Sequence, residues 1–304
     1  TWCLVGSEMC IRDSIKSTHK IGNPLCVGLD PYLDKIPPLF QNGTMKPSDP
    51  RTAPAVETFL RAVIDVIVGK VAIIKPQSAF FEQLGWRGIK ALDAIIQYAR
   101  DKDILVLMDA KRGDIGTTAK AYAETYLCKE ALLLSDALTV NPFLGKDTLE
   151  PYLTEVKDNN RGLFILVKTS NPGSGDYQNV LVKDIPLYEF IGNSLRSIAS
   201  EFVGSATGWS SIGIVVGATY PEQADRLREI LPNVPFLIPG YGAQGGAADD
   251  AVTAFVKGSN GYEGGIVNSS RGILFSDGSY TSNPKIWEST LCTSVQHAVD
   301  GLID

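Results

Sequence analysis

The residues with the clearest capacity for chemistry lie in the segment 109 to 122, DAKRGDIGTTAKAY, which directly follows the apolar run ILVLM. Four charged side chains fall within its first six positions, so they must be solvated, be paired with one another, or take part in a reaction. Strand side chains alternate between faces, so Asp109 and Lys111 point the same way if the strand continues that far. Asp114 lies outside that row, in the turn before a helix that we expect to begin near Thr117. It can cap that helix or reach a neighbouring subunit.

A second lysine belongs to the same group. Lys75 ends another predicted strand, VAIIK, and so brings a further ammonium to the rim where Asp109 and Lys111 lie. Two ammonium groups and two carboxylates can then alternate, with each charge compensated by the next. The spacing D-x-K-x-x-D is compatible with a purely structural ion-pair network and with a catalytic site, and taken alone it does not separate the two.

Two glycine-containing motifs late in the chain predict an anion site. PGYGAQGG (239–246) and NSSRG (268–272) follow the seventh and eighth predicted strands, where barrels of alternating strands and helices usually bind phosphate. Gln244 and Arg271 are the expected side-chain partners, which implies a phosphorylated small molecule. The glycines also match the dinucleotide motif G-x-G-x-x-G. That interpretation is disfavoured, because the motif comes late and the nearest acid, Glu263, precedes its strand instead of ending it.

Eight short apolar segments alternate with helical stretches and would position these side chains. The predicted strands are residues 25–30, 71–75, 104–109, 136–141, 163–168, 212–217, 235–239 and 264–269, and the clearest helical stretches are 54–70, 89–102 and 221–231. The strands are apolar on both faces, so we predict an α/β fold, a single-domain (β/α)8 TIM barrel, with an open doubly wound sheet as the alternative. The barrel is favoured because polar residues recur at strand carboxyl ends: Asp30, Lys75, Asp109, Asn141, Lys168 and Asn268.

Composition disfavours several classes of partner. The 304 residues include 28 basic and 34 acidic side chains, for a net charge of -6, so no basic field would attract nucleic acid. No apolar run approaches the length of a membrane span. The five cysteines show no C-x-x-C spacing, which fits a reducing, cytoplasmic setting. With only two histidines, a histidine metal site is disfavoured, and we predict no metal.

Two segments fall outside the repeating pattern. Residues 1–14 lack the basic and apolar regions of a signal peptide, and we expect them to be a non-native or disordered extension, with residues 15–304 forming the barrel domain. The segment 171–183, NPGSGDYQNVLVK, is rich in loop-forming residues and follows the fifth predicted strand. It is compatible with a mobile loop over a site and, equally, with a surface insertion.

Six motifs, in this order along the chain, resemble the orotidine 5'-phosphate decarboxylase family and in particular its type 2 subgroup: VGLDP (27–31), KPQSAFFEQLG (75–85), DAKRGDIGTTAKAYA (109–123), VKTSNPGS (167–174), PGYGAQGG (239–246) and NSSRGILF (268–275). DAKRGDIGTT followed by PGxGAQGG is highly specific, whereas VGLDP alone is not. The resemblance implies a carboxy-lyase that removes CO₂ from orotidine 5'-monophosphate without a cofactor and gives UMP, the last step of de novo UMP biosynthesis.

The resemblance also implies roles for matching residues. It implies a homodimer with a charged tetrad, in which one acid is donated across the interface: Lys75, Asp109, Lys111 and, from the partner subunit, Asp114. Lys111 resembles the proton donor of the family. The substrate contacts implied are Asp30 for a ribose hydroxyl, Ile115 and Thr118 from the partner subunit, Ser170 for the pyrimidine, and Gln244 with Arg271 for the phosphate.

The chemistry of these residue types agrees with the implied reaction. Loss of CO₂ from C6 of the pyrimidine leaves electrons in an sp² orbital that the ring does not delocalise, so a fixed positive charge must stabilise them. A lysine ammonium supplies that charge and then a proton, and Asp109 would keep Lys111 protonated. Two alternatives stay open: a Mg²⁺-dependent sugar-phosphate synthase or decarboxylase of the same superfamily, which shares D-x-K-x-x-D, and a non-catalytic nucleotide-binding barrel.

Overall fold

The fold is a closed barrel of eight parallel strands in a computed structural model that describes residue 18 and residues 20–242, 247–258 and 261–303. The strands are β1 Leu25–Leu29, β2 Ile73–Pro76, β3 Leu105–Arg112, β4 Ala137–Val140, β5 Gly162–Lys168, β6 Ile212–Val216, β7 Phe236–Pro239 and β8 Gly265–Ser269. Each strand pairs with its neighbours in chain order, and β8 closes on β1 with Leu25 opposite Val267. The predicted barrel is therefore confirmed, and the open doubly wound sheet is wrong.

A helix follows every barrel strand. The helices are α1 Thr52–Ile67, α2 Gly85–Arg100, α3 Gly116–Leu127, α4 Glu150–Asn159, α5 Leu187–Glu201, α6 Pro221–Ile230, α7 Ala248–Val252 and α8 Pro284–Ile303. Short helical turns at Ser78–Glu82, Lys146–Leu149, Pro172–Ser174, Gly175–Gln178 and Arg271–Leu274 follow strands at the carboxyl end. Each predicted strand and helix overlaps an observed one. The predicted extension, residues 1–14, lies outside the described residues.

The strands have apolar side chains on both faces because two separate cores need them. One core lies between the strands and the helices, and the other fills the barrel interior with side chains that include Cys26, Ile73, Leu105, Phe164 and Ile266. Since side chains in a strand alternate between faces, the rows that begin with these interior residues continue inward every second position.

These inward rows become polar as they approach the carboxyl ends of the strands. The β1 row runs from Cys26 through Gly28 to Asp30, the β2 row from Ile73 through Lys75 to Gln77, the β3 row from Leu105 through Leu107 to Asp109, the β4 row from Ala137 to Thr139, and the β8 row from Ile266 through Asn268 to Ser270. The apolar bottom of each row packs the barrel, and its polar top is left to line a site.

At the opposite end of the barrel, one part-buried arginine connects several backbone segments. Arg228 on α6 donates hydrogen bonds to five backbone carbonyls, those of Leu231, Pro232, Val234, Ala254 and Gly264. Its guanidinium also lies 3.9 Å from the ring centroid of Phe236. Burial lowers the pKa of Arg228 to about 10. The side chain thus connects α6 to the segments that lead into β7 and β8.

We expect Arg228→Met to lower the free energy of unfolding by about 3 kcal/mol, because five backbone carbonyls, four of them in part-buried hydrogen bonds, would lose a donor. Arg226→Met is the matched control. Arg226 is half-exposed and pairs with Glu189 and Glu229 at the surface, so its loss should cost at most about 1 kcal/mol. Urea denaturation of both variants measures the difference. If both substitutions lower the free energy of unfolding equally, the hydrogen bonds from Arg228 to the carbonyls contribute no more than a surface ion pair.

Candidate active site

The polar tops of the inward rows enclose a cavity of about 380 Å³ at the carboxyl ends of the strands. It is the face on which barrel enzymes have their sites. Six of the predicted site residues line it: Asp30, Lys75, Asp109, Lys111, Ser170 and Arg271. Strands β1, β2, β3 and β8 and the loop after β5 thus bring together side chains that are far apart in the sequence.

Asp109 is the centre of the cavity's charge network and is only 5% exposed. One carboxylate oxygen accepts hydrogen bonds from Lys75 Nζ at 2.6 Å and from Gln77 Nε2 at 3.0 Å. The other accepts from Lys111 Nζ at 2.6 Å and from Thr139 Oγ1 at 2.9 Å. Burial alone would raise the pKa of Asp109, but the two ammonium groups outweigh it and hold this pKa well below its usual range. The carboxylate is therefore ionised throughout the physiological pH range.

The two lysines differ in environment. Lys75 is 3% exposed, and although burial opposes its charge, Asp109 and Asp30 keep its pKa above the usual lysine value. The side chain of Lys111 is 44% exposed toward the cavity mouth. Lys75 is therefore a permanent buried cation, whereas Lys111 is an ammonium that a ligand can reach.

The Asp109–Lys111 contact was predicted, but a different backbone geometry produces it. The register of β3 against β4 shifts between Met108 and Arg112, and Lys111 adopts a φ of 47°, in the left-handed region. Regular alternation therefore stops at Asp109. The irregular turn brings Nζ of Lys111 back to the carboxylate of Asp109. The ion pair therefore depends on a strained backbone conformation at Lys111.

Several buried polar atoms along the cavity wall have no hydrogen-bond partner within the described part of the chain. They are Oδ1 of Asp30, Oδ1 of Asn268 and Oγ of Ser270. Buried polar atoms without partners are uncommon in folded proteins and are satisfied by water or a polar ligand. Arg271 lies next to Ser270 at the start of a short helix and lines the same cavity. This wall suits a ligand rich in hydroxyl groups that ends in an anion.

The loop after β5 contributes to the cavity through Thr169, Ser170 and Asn171. It is anchored by Lys168, which is fully buried, donates hydrogen bonds to Ser174 and Asn179 at 3.1 and 3.0 Å, and lies 4.1 Å from the ring centroid of Tyr220. Burial lowers the pKa of Lys168. The beginning of the predicted loop 171–183 therefore borders the site, so the segment is not solely a surface insertion.

Three predicted residues do not reach this cavity within the chain. Asp114 precedes α3, and its side chain accepts a hydrogen bond from the backbone N–H of Ile115 at 2.8 Å. Ile115 is 61% exposed, and Thr118 is exposed on the first turn of α3. None of the three lines the cavity. Gln244 lies outside the described residues, although the turn before it is described and Gly240 has a φ of 100° that favours glycine.

Sequence reasoning missed two residues that contact Asp109. Gln77 and Thr139 both hydrogen-bond to its carboxylate, yet neither was assigned a role. The signal was present, since each continues an inward row by two positions, from Lys75 and from Ala137. The polar residue noted at the end of the fourth predicted strand was instead Asn141. It is exposed and does not line the cavity.

Fold and pocket together define a (β/α)8-barrel enzyme with its site at the carboxyl ends of the strands. Within that class, the chain belongs to the orotidine 5'-phosphate decarboxylase / HUMPS family, whose model matches residues 23–281.

Individual relatives agree with the family assignment. An orotidine 5'-phosphate decarboxylase of Clostridium kluyveri is 43% identical over 88% of this chain and 87% of its own. That of Rhodopirellula baltica is 42% identical over 84% of this chain and 85% of its own. The structure of Leishmania donovani OMP decarboxylase has a TM-score of 0.70 and 29% identity, and the match covers 96% of this chain and 99% of that one.

The described residues contain neither a candidate metal-binding cluster nor a candidate membrane-spanning helix. No group of three or more His, Cys, Asp or Glu side chains among them is arranged to hold a metal ion. No helix within that part of the chain is long and apolar enough to cross a bilayer.

The charge network predicts unequal effects of two substitutions on stability. Asp109→Asn should lower the free energy of unfolding by about 3 kcal/mol, because the buried Lys75 loses its ion-pair partner. Lys111→Met should cost less than about 1 kcal/mol, because Asp109 keeps Lys75 and the Lys111 side chain is part-exposed. Urea denaturation at neutral pH compares them, and a smaller effect for Asp109→Asn would contradict the assignment.

The pKa of Asp109 is lower in the folded protein than in the unfolded chain. Its contribution to the free energy of unfolding is therefore fully present above its unfolded pKa of about 3.9 and declines below it.

Proposed function

We propose that this chain catalyses the decarboxylation of orotidine 5'-phosphate to UMP and CO₂ without a cofactor, as a carboxy-lyase of pyrimidine biosynthesis. The observation that carries the proposal is the position of Lys111. Its ammonium lies 2.6 Å from an ionised, buried Asp109, at the mouth of a cavity that also contains Arg271. The names of the close relatives support the same activity.

The reaction needs a cation at one carbon atom. When CO₂ leaves C6 of the pyrimidine, the bonding electrons stay in an sp² orbital in the ring plane. The ammonium of Lys111 stabilises that negative charge and then donates a proton to C6, which gives UMP. Asp109 holds the ammonium in place through a charge-assisted hydrogen bond, so little reorganisation is needed as the anion forms.

The charges of the centre suit a substrate that carries a carboxylate. Lys75 and Lys111 bring two ammonium groups to the centre, and Asp109 and, in the proposed dimer, Asp114 of the partner subunit oppose them. The ammonium groups would attract the orotate carboxylate, while the like charge of Asp109 close by opposes it. Binding energy from the remote phosphate can offset that repulsion, which disappears when CO₂ leaves.

The remainder of the cavity accommodates the rest of the nucleotide. We assign Arg271 to the phosphate, with Gln244 as its expected partner, because arginine suits bidentate contact with phosphate oxygens. Asp30 has a buried oxygen without a partner and would accept a hydrogen bond from a ribose hydroxyl. Ser170, on the loop after β5, is assigned to the pyrimidine.

We further propose that the active enzyme is a homodimer. Asp114, Ile115 and Thr118 do not line the cavity of their own chain, and Ile115 exposes a large apolar side chain. A second copy that places these residues over the neighbouring cavity would complete the charged tetrad with Asp114 of the partner subunit. The cytoplasmic setting stays a prediction from cysteine usage.

The family description also includes the HUMPS branch, so a Mg²⁺-dependent sugar-phosphate reaction is the second candidate. The two share D-x-K-x-x-D, and they differ in their need for a divalent cation. A third possibility, a nucleotide-binding barrel without activity, would bind UMP and release no CO₂. Conversion of orotidine 5'-monophosphate identifies the first candidate, treatment with EDTA tests its independence from a divalent cation, and UMP binding without conversion is expected of the third.

We expect the purified protein to convert orotidine 5'-monophosphate to UMP, observed as a change in ultraviolet absorbance, at the same rate with and without EDTA.

Lys111→Ala should lower kcat by at least about 10³-fold, because it removes both the stabilising charge and the proton donor. Lys90→Ala, on the exposed surface of α2, is the matched control and should retain wild-type activity. Equal rates for wild type and Lys111→Ala would overturn the mechanism, and loss of activity with EDTA would favour the metal-dependent alternative.

A mixing experiment tests the shared site. Lys111→Ala and Asp114→Ala should each be nearly inactive alone. A mixed dimer of the two variants has one site with both defects and one with neither, so mixing after mild dissociation should restore activity, up to about half of the wild-type value per mixed dimer. If Asp114 acts within its own chain, both sites of every mixed dimer keep a defect and no activity returns.

A further inference from the structure

Thr139 lies at the junction of the two residues on which the proposed chemistry depends. It belongs to β4, on the inward row, and is 1% exposed. It continues the inward row from the apolar Ala137 and lies beside the carboxylate of Asp109. A hydroxyl at such a position is costly unless it forms hydrogen bonds, so its partners indicate why it is there.

The hydroxyl of Thr139 forms two hydrogen bonds, and their directions follow from the chemistry of the partners. The backbone N–H of Lys111 can only donate, and its nitrogen lies 2.9 Å from Oγ1. Oδ1 of Asp109 lies 2.9 Å away and can only accept, because this carboxylate is ionised. The single hydroxyl proton therefore goes to Asp109, and an oxygen lone pair accepts from Lys111. The hydroxyl of Thr139 thus acts once as a donor and once as an acceptor.

The bond to Lys111 replaces a missing sheet contact. The β3–β4 register is regular up to Met108 and resumes at Arg112, whose carbonyl accepts from Asn141 N. Between these points Lys111 has a φ of 47°, a conformation that costs an L-residue with a side chain roughly 1 kcal/mol or more. Surrounding contacts must hold such a residue in place. The hydroxyl of Thr139 supplies one to its amide.

We propose that Thr139 is a positioning residue: its hydroxyl holds the Lys111 backbone in the left-handed conformation and fixes the Asp109 carboxylate, so that the Lys111 ammonium is aimed into the cavity. This inference rests on the proposed function, in which Lys111 is the group that meets the reacting carbon. Thr139 does not itself line the cavity. Its effect on the reaction is transmitted through the two residues that it contacts.

Three variants at this position isolate the hydroxyl. Thr139→Val keeps the shape and removes both hydrogen bonds. Thr139→Ser and Thr139→Ala both remove the methyl group, and only the first keeps the hydroxyl. The Ser and Ala pair therefore tests the same point if the valine variant does not fold. Steady-state kinetics with orotidine 5'-monophosphate, affinity for UMP and thermal unfolding are measured for each.

We expect Thr139→Val to lower kcat about 10- to 100-fold, since small displacements of a reacting group reduce rates by this order. KM and the affinity for UMP should change less than about threefold, because the phosphate and ribose contacts are remote from β4. Thr139→Ser should stay within about threefold of wild-type kcat, and Thr139→Ala should resemble Thr139→Val.

Other outcomes are equally decisive. An unchanged kcat in Thr139→Val, or an equal loss in the Ser and Ala variants, would overturn the positioning role. A loss of kcat in proportion to UMP affinity, with a lower unfolding temperature, would mean that Thr139 only packs the barrel, and this too would overturn it. If the wild-type protein does not decarboxylate the substrate, the proposed function fails first, independently of Thr139.

Discussion

The site depends on one buried carboxylate that holds two ammonium groups. Asp109 contacts Nζ of Lys75 and Nζ of Lys111 at 2.6 Å each, and the two ammonium groups stabilise its ionised form. Without the aspartate, Lys75 would lose its ion-pair partner in the barrel interior, and Lys111 would lose the partner that directs it. A buried cluster of this kind is weak as a source of stability. Its value is that it presents a fixed positive charge at a defined point, before any substrate arrives.

The barrel provides the conditions under which such a cluster persists. The inward rows of neighbouring strands end at the same level along the barrel axis. Residues from β2, β3 and β4 therefore meet around one carboxylate, that of Asp109. The apolar lower part of each row keeps water out from below, which strengthens the electrostatic contacts above it. The other cavity wall, with Asp30, Ser270 and Arg271, is built by β1, which pairs with β2, and by β8, which pairs with β1. Separate strands can thus bind one part of a ligand and act on another.

Much of this architecture can be predicted from local pattern. Eight apolar runs with β-branched residues, each followed by a helical stretch, predicted parallel strands buried on both faces, and the polar residues at the carboxyl ends of these strands favoured a closed barrel over an open sheet. The position of Asp30, Lys75 and Arg271 at strand ends was also visible in the sequence. The contact between Asp109 and Lys111 was predicted for the wrong reason, since the left-handed turn at Lys111 leaves no signal in residue type. A lysine with φ of 47° is rare, and no composition rule anticipates it.

The sequence by itself determined which residues form strands, which strand ends are charged, and that two glycine-containing motifs come late in the chain, since these properties depend on neighbours within a few positions. The tertiary structure alone decided which strand ends meet. Gln77 and Thr139 reach Asp109 across 32 and 30 residues of chain, whereas Asp114, five positions from Asp109 in sequence, does not line the cavity. The physical reason is closure of the barrel: it joins groups through strand pairing and register, which bring together residues that are distant along the chain.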